Sequence, residues 1–279
     1  MADYTKVRLT NGIFDHWYVT NDATSPYSSV IPTEWDLLTI MSANFNGNLR
    51  AGNLDAELLT IDGFRIKRRK TDEFDWVTIR YINKADIDDF SFVVNDNLAE
   101  TLTEYEYAIV PVSGGVEGNY ISDTISTKFN GVFICDADTI YRFYAGVQYD
   151  TQDRVQKVGV FEPYGRKYPV VVSNGLIGYT TGAISGTVLP NDYLQTKNLD
   201  RKAMVKERKQ LNDFLTNKKA KIIKDWNGNI WLVAIIGNPS TNYATGSGMG
   251  IADVKATWVE VGDANVEKDL IATGMVREV

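Results

Sequence analysis

The chain has 279 residues, 44% of them hydrophobic and 23% charged, with a formal net charge of −7. That is enough apolar material for a substantial core in about two domains, and too much for a disordered protein. One cysteine and one histidine exclude an intrachain disulfide, a Cys-based or multi-His zinc site, and a Ser-His-Asp triad unless His16 itself serves.

No run of about 18 apolar residues occurs and the N-terminus lacks a basic segment followed by an apolar block, so we expect no membrane span, no export signal and synthesis in the cytosol. Residues 1–30 form an arm carrying Phe14, Trp17, Tyr18 and Tyr27 without periodicity. Such an arm buries its rings on its own domain or on a partner. His16 reads as a structural or surface residue rather than a catalytic one.

From 31 to 128 short apolar runs alternate with turn residues. Residues 37–40, 58–61, 64–66, 74–79, 90–94 and 105–110 are the predicted strands of a β-sandwich. The basic run Lys67-Arg68-Arg69-Lys70, followed by Asp72, Glu73 and Asp75, is expected to be a solvated strand face or edge protection rather than an anion site. This stretch resembles a fibronectin type III module in three places: the texture around Ile66 to Arg69 and Trp76, Leu102 ahead of Tyr105, and the ending from Val110 to Ser122. The resemblance implies that the Tyr105 hydroxyl closes a corner on nearby backbone and that Trp76 fills the core between two sheets. The chain departs from the family at Thr103-Glu104, where a Pro-Gly turn is common.

Residues 129–154 read as a connecting β-rich segment, in which Cys135 is a small buried apolar residue. A second domain spans 155–279. It opens with apolar runs at 158–163 and 168–172, then a stretch from 176 to 189 whose glycines suggest bends, bulges or close backbone approach. Met204, Leu211 and Leu215, with Phe214, define one apolar stripe on a helix over 200–216. Asp200 is its expected N-cap, and Asn217 is expected to end it in the left-handed conformation. Asn227-Gly228 predicts a type I′ hairpin turn. The run 230–236 is apolar without alternation, so both its faces should be covered, one by the helix and the other by another sheet or a neighbouring subunit. Residues 238–250 read as a polar loop and 254–261 as a closing strand; Gly246 to Gly250 lacks the lysine of a phosphate loop.

Residues 201–224 hold nine cations against Glu207 and Asp213, a net of +7 in a chain of −7. Such a segment meets DNA phosphates, an anionic surface or the acidic face of an identical neighbour, or is simply a solvated helix face. The acidic remainder disfavours free DNA binding. The order of strands, one helix, hairpin, long loop and closing strand is similar to the tail-tube fold of phage tail and baseplate proteins. Residues 208–215, 221–228 and 230–233 in particular resemble segments of tail components from phages of Gram-positive bacteria.

The resemblance implies a mainly β protein, with a fibronectin type III-like sandwich and a tail-tube-like β-sandwich flanked by one α-helix. It also implies a homo-oligomeric ring, a hexamer, at the distal tail or baseplate of a virion, made in the host bacterial cytoplasm. Its partners would be copies of itself and adjacent tail proteins, with DNA passing through the ring and neither membrane nor sequence-specific nucleic acid bound. The subunit-interface candidates are Arg201, Lys202, Lys206, Arg208, Lys209, Asn242 and Tyr243. No catalytic, metal or cofactor residue is expected, because no spacing singles out a carboxylate pair among the 36 Asp and Glu and no catalytic motif occurs. The competing class is a carbohydrate-binding or cell-adhesion protein with a fibronectin type III spacer. Its candidates are Trp226, Trp231 and Trp258, with the Trp226 ring expected to pack on the helix.

Overall fold

Runs rich in Val, Ile, Thr and aromatic residues become strands because successive side chains stand on opposite faces of a pleated backbone. The computed structural model describes residues 7–10, 16–20, 40–44, 61–83, 92–117, 120–149, 152–190, 193–243 and 251–277, and in it the chain is mainly β. It divides into two units, each made of separated stretches. Met1–Arg142, Lys221–Trp231 and Gly262–Val279 form the first; Phe143–Ala220 and Leu232–Val261 form the second.

The elements in chain order are β1 (Val7–Thr10), β2 (His16–Thr20), β3 (Ile40–Asn44), β4 (Ile61–Lys70), β5 (Val77–Asn83), β6 (Val93–Asp96), β7 (Thr103–Ser113), β8 (Val116–Glu117), β9 (Ile121–Thr127) and β10 (Val132–Cys135). There follow β11 (Ile140–Tyr149), β12 (Asp153–Phe161), β13 (Val170–Val188), α1 (Tyr193–Thr196), α2 (Arg201–Thr216), β14 (Lys221–Asp225), β15 (Ile230–Tyr243), β16 (Ala252–Gly262) and α3 (Glu267–Ala272).

In the first unit, a four-stranded sheet has the order β2-β3-β1-β6, and a second sheet has the order β5-β4-β7-β8 with β9 also on β7. β1 runs parallel to β3 and antiparallel to β6, so the N-terminal arm pairs inside its own unit. The rings of Phe14, Trp17, Tyr18 and Tyr27 and the imidazole of His16 lie outside the described residues, as do most of the predicted 37–40 and 58–61 runs.

Phe64, Ile66 and Arg68 recur every second residue along β4 and are buried with Tyr105 and Tyr107 of β7. The basic run is therefore not a solvated face throughout. Lys67 and Arg69 point outward to Glu117 and Glu106, while Arg68 points inward to Asp96 at 2.7 Å. Of the three acids downstream, among the described residues only Glu73 comes near a lysine, 3.9 Å from Lys70.

The strand expected from Phe74 begins only at Val77, and Phe74 itself, in the loop before it, is 91% exposed. Trp76 does not fill the core: it is half-buried, edge-on to Tyr120 at 5.3 Å, with the Arg69 guanidinium 4.5 Å from its ring. The corner at Tyr105 does close, its hydroxyl accepting the Glu100 N–H at 3.2 Å. Leu98 supplies the buried leucine there, while Leu102 occupies the turn with φ 59° and an exposed side chain.

The first unit is completed by chain from far downstream. β10 pairs with β14 from Val132↔Asp225 to Cys135↔Ile222, and Glu267 of α3 accepts the Thr78 N–H at 3.0 Å.

In the second unit β15, β16 and β13 are neighbours, and the other edge of β13 takes β11 and β12 in succession. The glycines of β13 allow close approach, as expected: a Cβ added at Gly182 would stand 3.0 Å from the Trp258 ring. Residues 238–243, expected in a loop, extend β15 to fourteen residues, because Asn, Pro, Ser and Thr at a strand end pair through backbone whatever their side chains. Residues 244–250 lie outside the described residues.

Candidate assembly surfaces

α2 forms where the sequence predicts it. Asp200 accepts the Ala203 N–H at 2.7 Å, satisfying one of the free donors of the first turn, and Met204, Leu211, Phe214 and Leu215 are the buried face. Its end differs from expectation. Asn217 has φ −71° and instead accepts the Lys219 N–H through Oδ1 at 3.0 Å, while Lys218 takes the left-handed conformation at φ 63°.

The cations of this region separate into two populations. Lys221 and Lys224 sit on β14 and are fully buried. Lys224 Nζ donates to the Asn97 and Ala99 carbonyls at 2.6 and 2.8 Å, and lies 4.9 Å from the Phe129 ring. Burial lowers its pKa, since it penalises the charged form. Removing these two leaves seven cations against two carboxylates at the surface of residues 201–219. Arg201, Lys202, Lys206 and Lys209 are exposed, and among the described residues they have no ion-pair partner.

Two of the expected interface residues meet. The Arg208 guanidinium stands 5.0 Å from the Tyr243 ring, and nearby Asn212 donates to Thr241 Oγ1 at 3.3 Å. Tyr243 is 65% exposed and Asn242 is exposed beside it. The end of β15 thus lies along α2 as an aromatic and basic surface.

A second surface was not anticipated. β16 covers β13 only from Thr181 to Thr187, so the residues of β13 from 170 to 180 have β12 on one edge and, among the described residues, no strand on the other. That two-stranded portion is about 33 Å long at roughly 3.3 Å per residue. Opposed residues share a face, so Val158, Val160 and Val171 lie on one side and Phe161, Val170 and Val172 on the other. Val158, Val160, Phe161, Val171 and Val172 are between 52% and 60% exposed. Valine-rich alternation reads as core in a sequence, and only the register reveals that this portion has no sheet to cover it.

The hairpin at Trp226 departs from the predicted turn. Asp225 N–H donates to Asn229 carbonyl at 3.1 Å around a three-residue loop, in which only Gly228 has positive φ, 85°. This is a type I turn ending in a left-handed glycine rather than a type I′ turn. The Asp225 carboxylate accepts the Asn227 and Asn229 N–H groups at 2.8 and 3.0 Å and fixes it. Trp226 is 42% exposed, whereas Trp231 and Trp258 are buried. Of the run 230–236, expected to be covered on both faces, Trp231 to Val233 are buried without alternation, but Ile230, Ala234 and Ile235 are only half-buried and Ile236 is 41% exposed.

The first unit also holds a buried polar cluster. Arg68 and Tyr107 both donate to Asp96 Oδ2 at 2.7 Å. Burial works against the Arg68 charge, but Asp96 and the two tyrosines hold its pKa raised. Cys135, buried as expected, donates its S–H to the Asn97 carbonyl at 3.2 Å, and burial pushes the thiol up to about 11. This cluster braces the loop from Asn97 to Leu102. Among the described residues no three His, Cys, Asp or Glu are placed to hold a metal, and no helix is long and apolar enough to cross a membrane. Comparison of the chain with known protein families gave no match, and neither did comparison with curated proteins.

Proposed function

We propose that the chain is a non-catalytic structural protein that assembles with copies of itself as a sixfold ring, a component of a phage tail or baseplate located in the virion. The observation that carries this reading is the two-stranded portion of β12 and β13, apolar on both faces and, among the described residues, open along the β13 edge. An exposed strand edge of this kind is a template for pairing and an aggregation hazard unless a defined partner covers it. Burying five such side chains contributes on the order of 1 kcal/mol each, of the same size as the roughly 4–15 kcal/mol cost of association. The arm is therefore a major part of a contact and needs support from charge. Arg201, Lys202, Lys206 and Lys209, without an ion-pair partner among the described residues, supply it on an acidic chain.

The resemblance of residues 208–215, 221–228 and 230–233 to tail components supports the ring and its place around a channel through which DNA passes, with adjacent tail proteins as further partners. The native mass of the purified protein tests this. Six copies are expected, with Val160→Asp and Val172→Asp each shifting the population to smaller species while the circular dichroism spectrum is kept. A monomer at every concentration overturns the reading. The sugar-binding alternative retains Trp226 alone, and glycan binding lost on Trp226→Ala would favour it.

A further inference from the structure

Phe74 is the most exposed phenylalanine among the described residues, at 91%, and it stands directly after a turn, flanked by Asp72, Glu73 and Asp75, all exposed. Nothing in the folding of the turn requires it there. The turn is closed by backbone, Glu73 N–H donating to Lys70 carbonyl at 3.0 Å. Among the described residues Asp72 and Asp75 have no ion-pair partner, and Glu73 reaches only Lys70 at 3.9 Å. An aromatic ring flanked by exposed carboxylates fits a partner surface that offers an apolar contact bordered by cations.

The chain carries such a surface. Tyr243 is exposed against Arg208, and Lys202, Lys206 and Lys209 follow one another at helical spacing on the exposed side of the same helix, without an ion-pair partner among the described residues. We propose that the Phe74 turn of one copy docks on the α2–β15 surface of the next, Phe74 packing on Tyr243 with its carboxylates facing those lysines. The inference rests on the ring reading and names one of its contacts. Because the two patches differ, each copy gives one and receives one, and the contact is head-to-tail, the kind that closes into a ring when its rotation allows.

Two preparations, Phe74→Cys and Tyr243→Cys, test the contact in trans; Cys135, fully buried, stays out of the reaction. Disulfide-linked dimers are expected after mixing and mild oxidation, and not from either preparation alone. Asp72→Lys with Asp75→Lys, or Lys206→Glu with Lys209→Glu, should each lower the assembled fraction about tenfold at low salt, and all four together should return it to within about threefold of the parent. Assembly that survives both reversals, a reversal that the combined variant does not restore, or no cross-link in the mixture overturns this contact while the ring stands. A parent protein that never assembles overturns the ring and this contact together.

Discussion

Arg68 lies in a run of four basic residues, and what separates it from the others is the face it points to. Its spacing from Phe64 and Ile66 places it in phase with the apolar residues of β4, a signal present in the sequence but masked by the charges on either side. Once buried, the guanidinium depends on Asp96, and Asp96→Asn should cost about 3–5 kcal/mol in chemical denaturation, because it leaves a buried charge without its counter-ion. Cys135 gives a pH-dependent test. Its thiol is raised from 9.0 to about 11 in the folded chain, so the neutral form is favoured there, and its stabilising effect is complete below pH 9 and lost as pH rises to 11. Stability measured across that window should fall by about 2 kcal/mol more in the parent than in Cys135→Ala. Burial of Cys135 was legible from its apolar neighbours. Burial of Lys221 and Lys224 was not, since lysine carries no sequence mark of the carbonyls it will find.

At the scale of elements, α2 was legible because its stripe, its cap and its length agree with one another. The two features differ in strength. Leu211→Ala removes a fully buried side chain and should cost about 2–5 kcal/mol, whereas Asp200→Ala frees one first-turn donor to water and should cost about 1 kcal/mol, both read by thermal or denaturant unfolding. The ends of elements were less legible. Asn217 gave its side chain to the Lys219 N–H and left the positive φ to Lys218, and Asn227 left it to Gly228 alone, so each turn formed with a different residue in the special conformation. The polar residues 238–243 carry a loop's composition, yet they continue β15, because a strand needs backbone partners before it needs apolar side chains. The converse holds at β12, where apolar residues made a strand without making a core.

For the whole molecule, segregated charge makes assembly sensitive to ions. Raising salt from about 0.1 M to about 1 M shortens the screening length from about 10 Å to about 3 Å, and should shift the native mass distribution toward smaller species. Mass unchanged across that range would leave the apolar arm as the sole driving contact. A reading along the chain groups neighbours in sequence, and it has no means of finding β10 beside β14 or Thr78 beside Glu267. Those distant pairings impose an order on synthesis. The ribosome delivers β4, β5 and β7 first, but β14 and α3, which finish the same unit, emerge only after β11, β12, β13 and α2. The nascent first unit therefore waits, incomplete, through translation of almost all that follows, and a deletion of residues 262–277 should harm the beginning of the protein as much as its end.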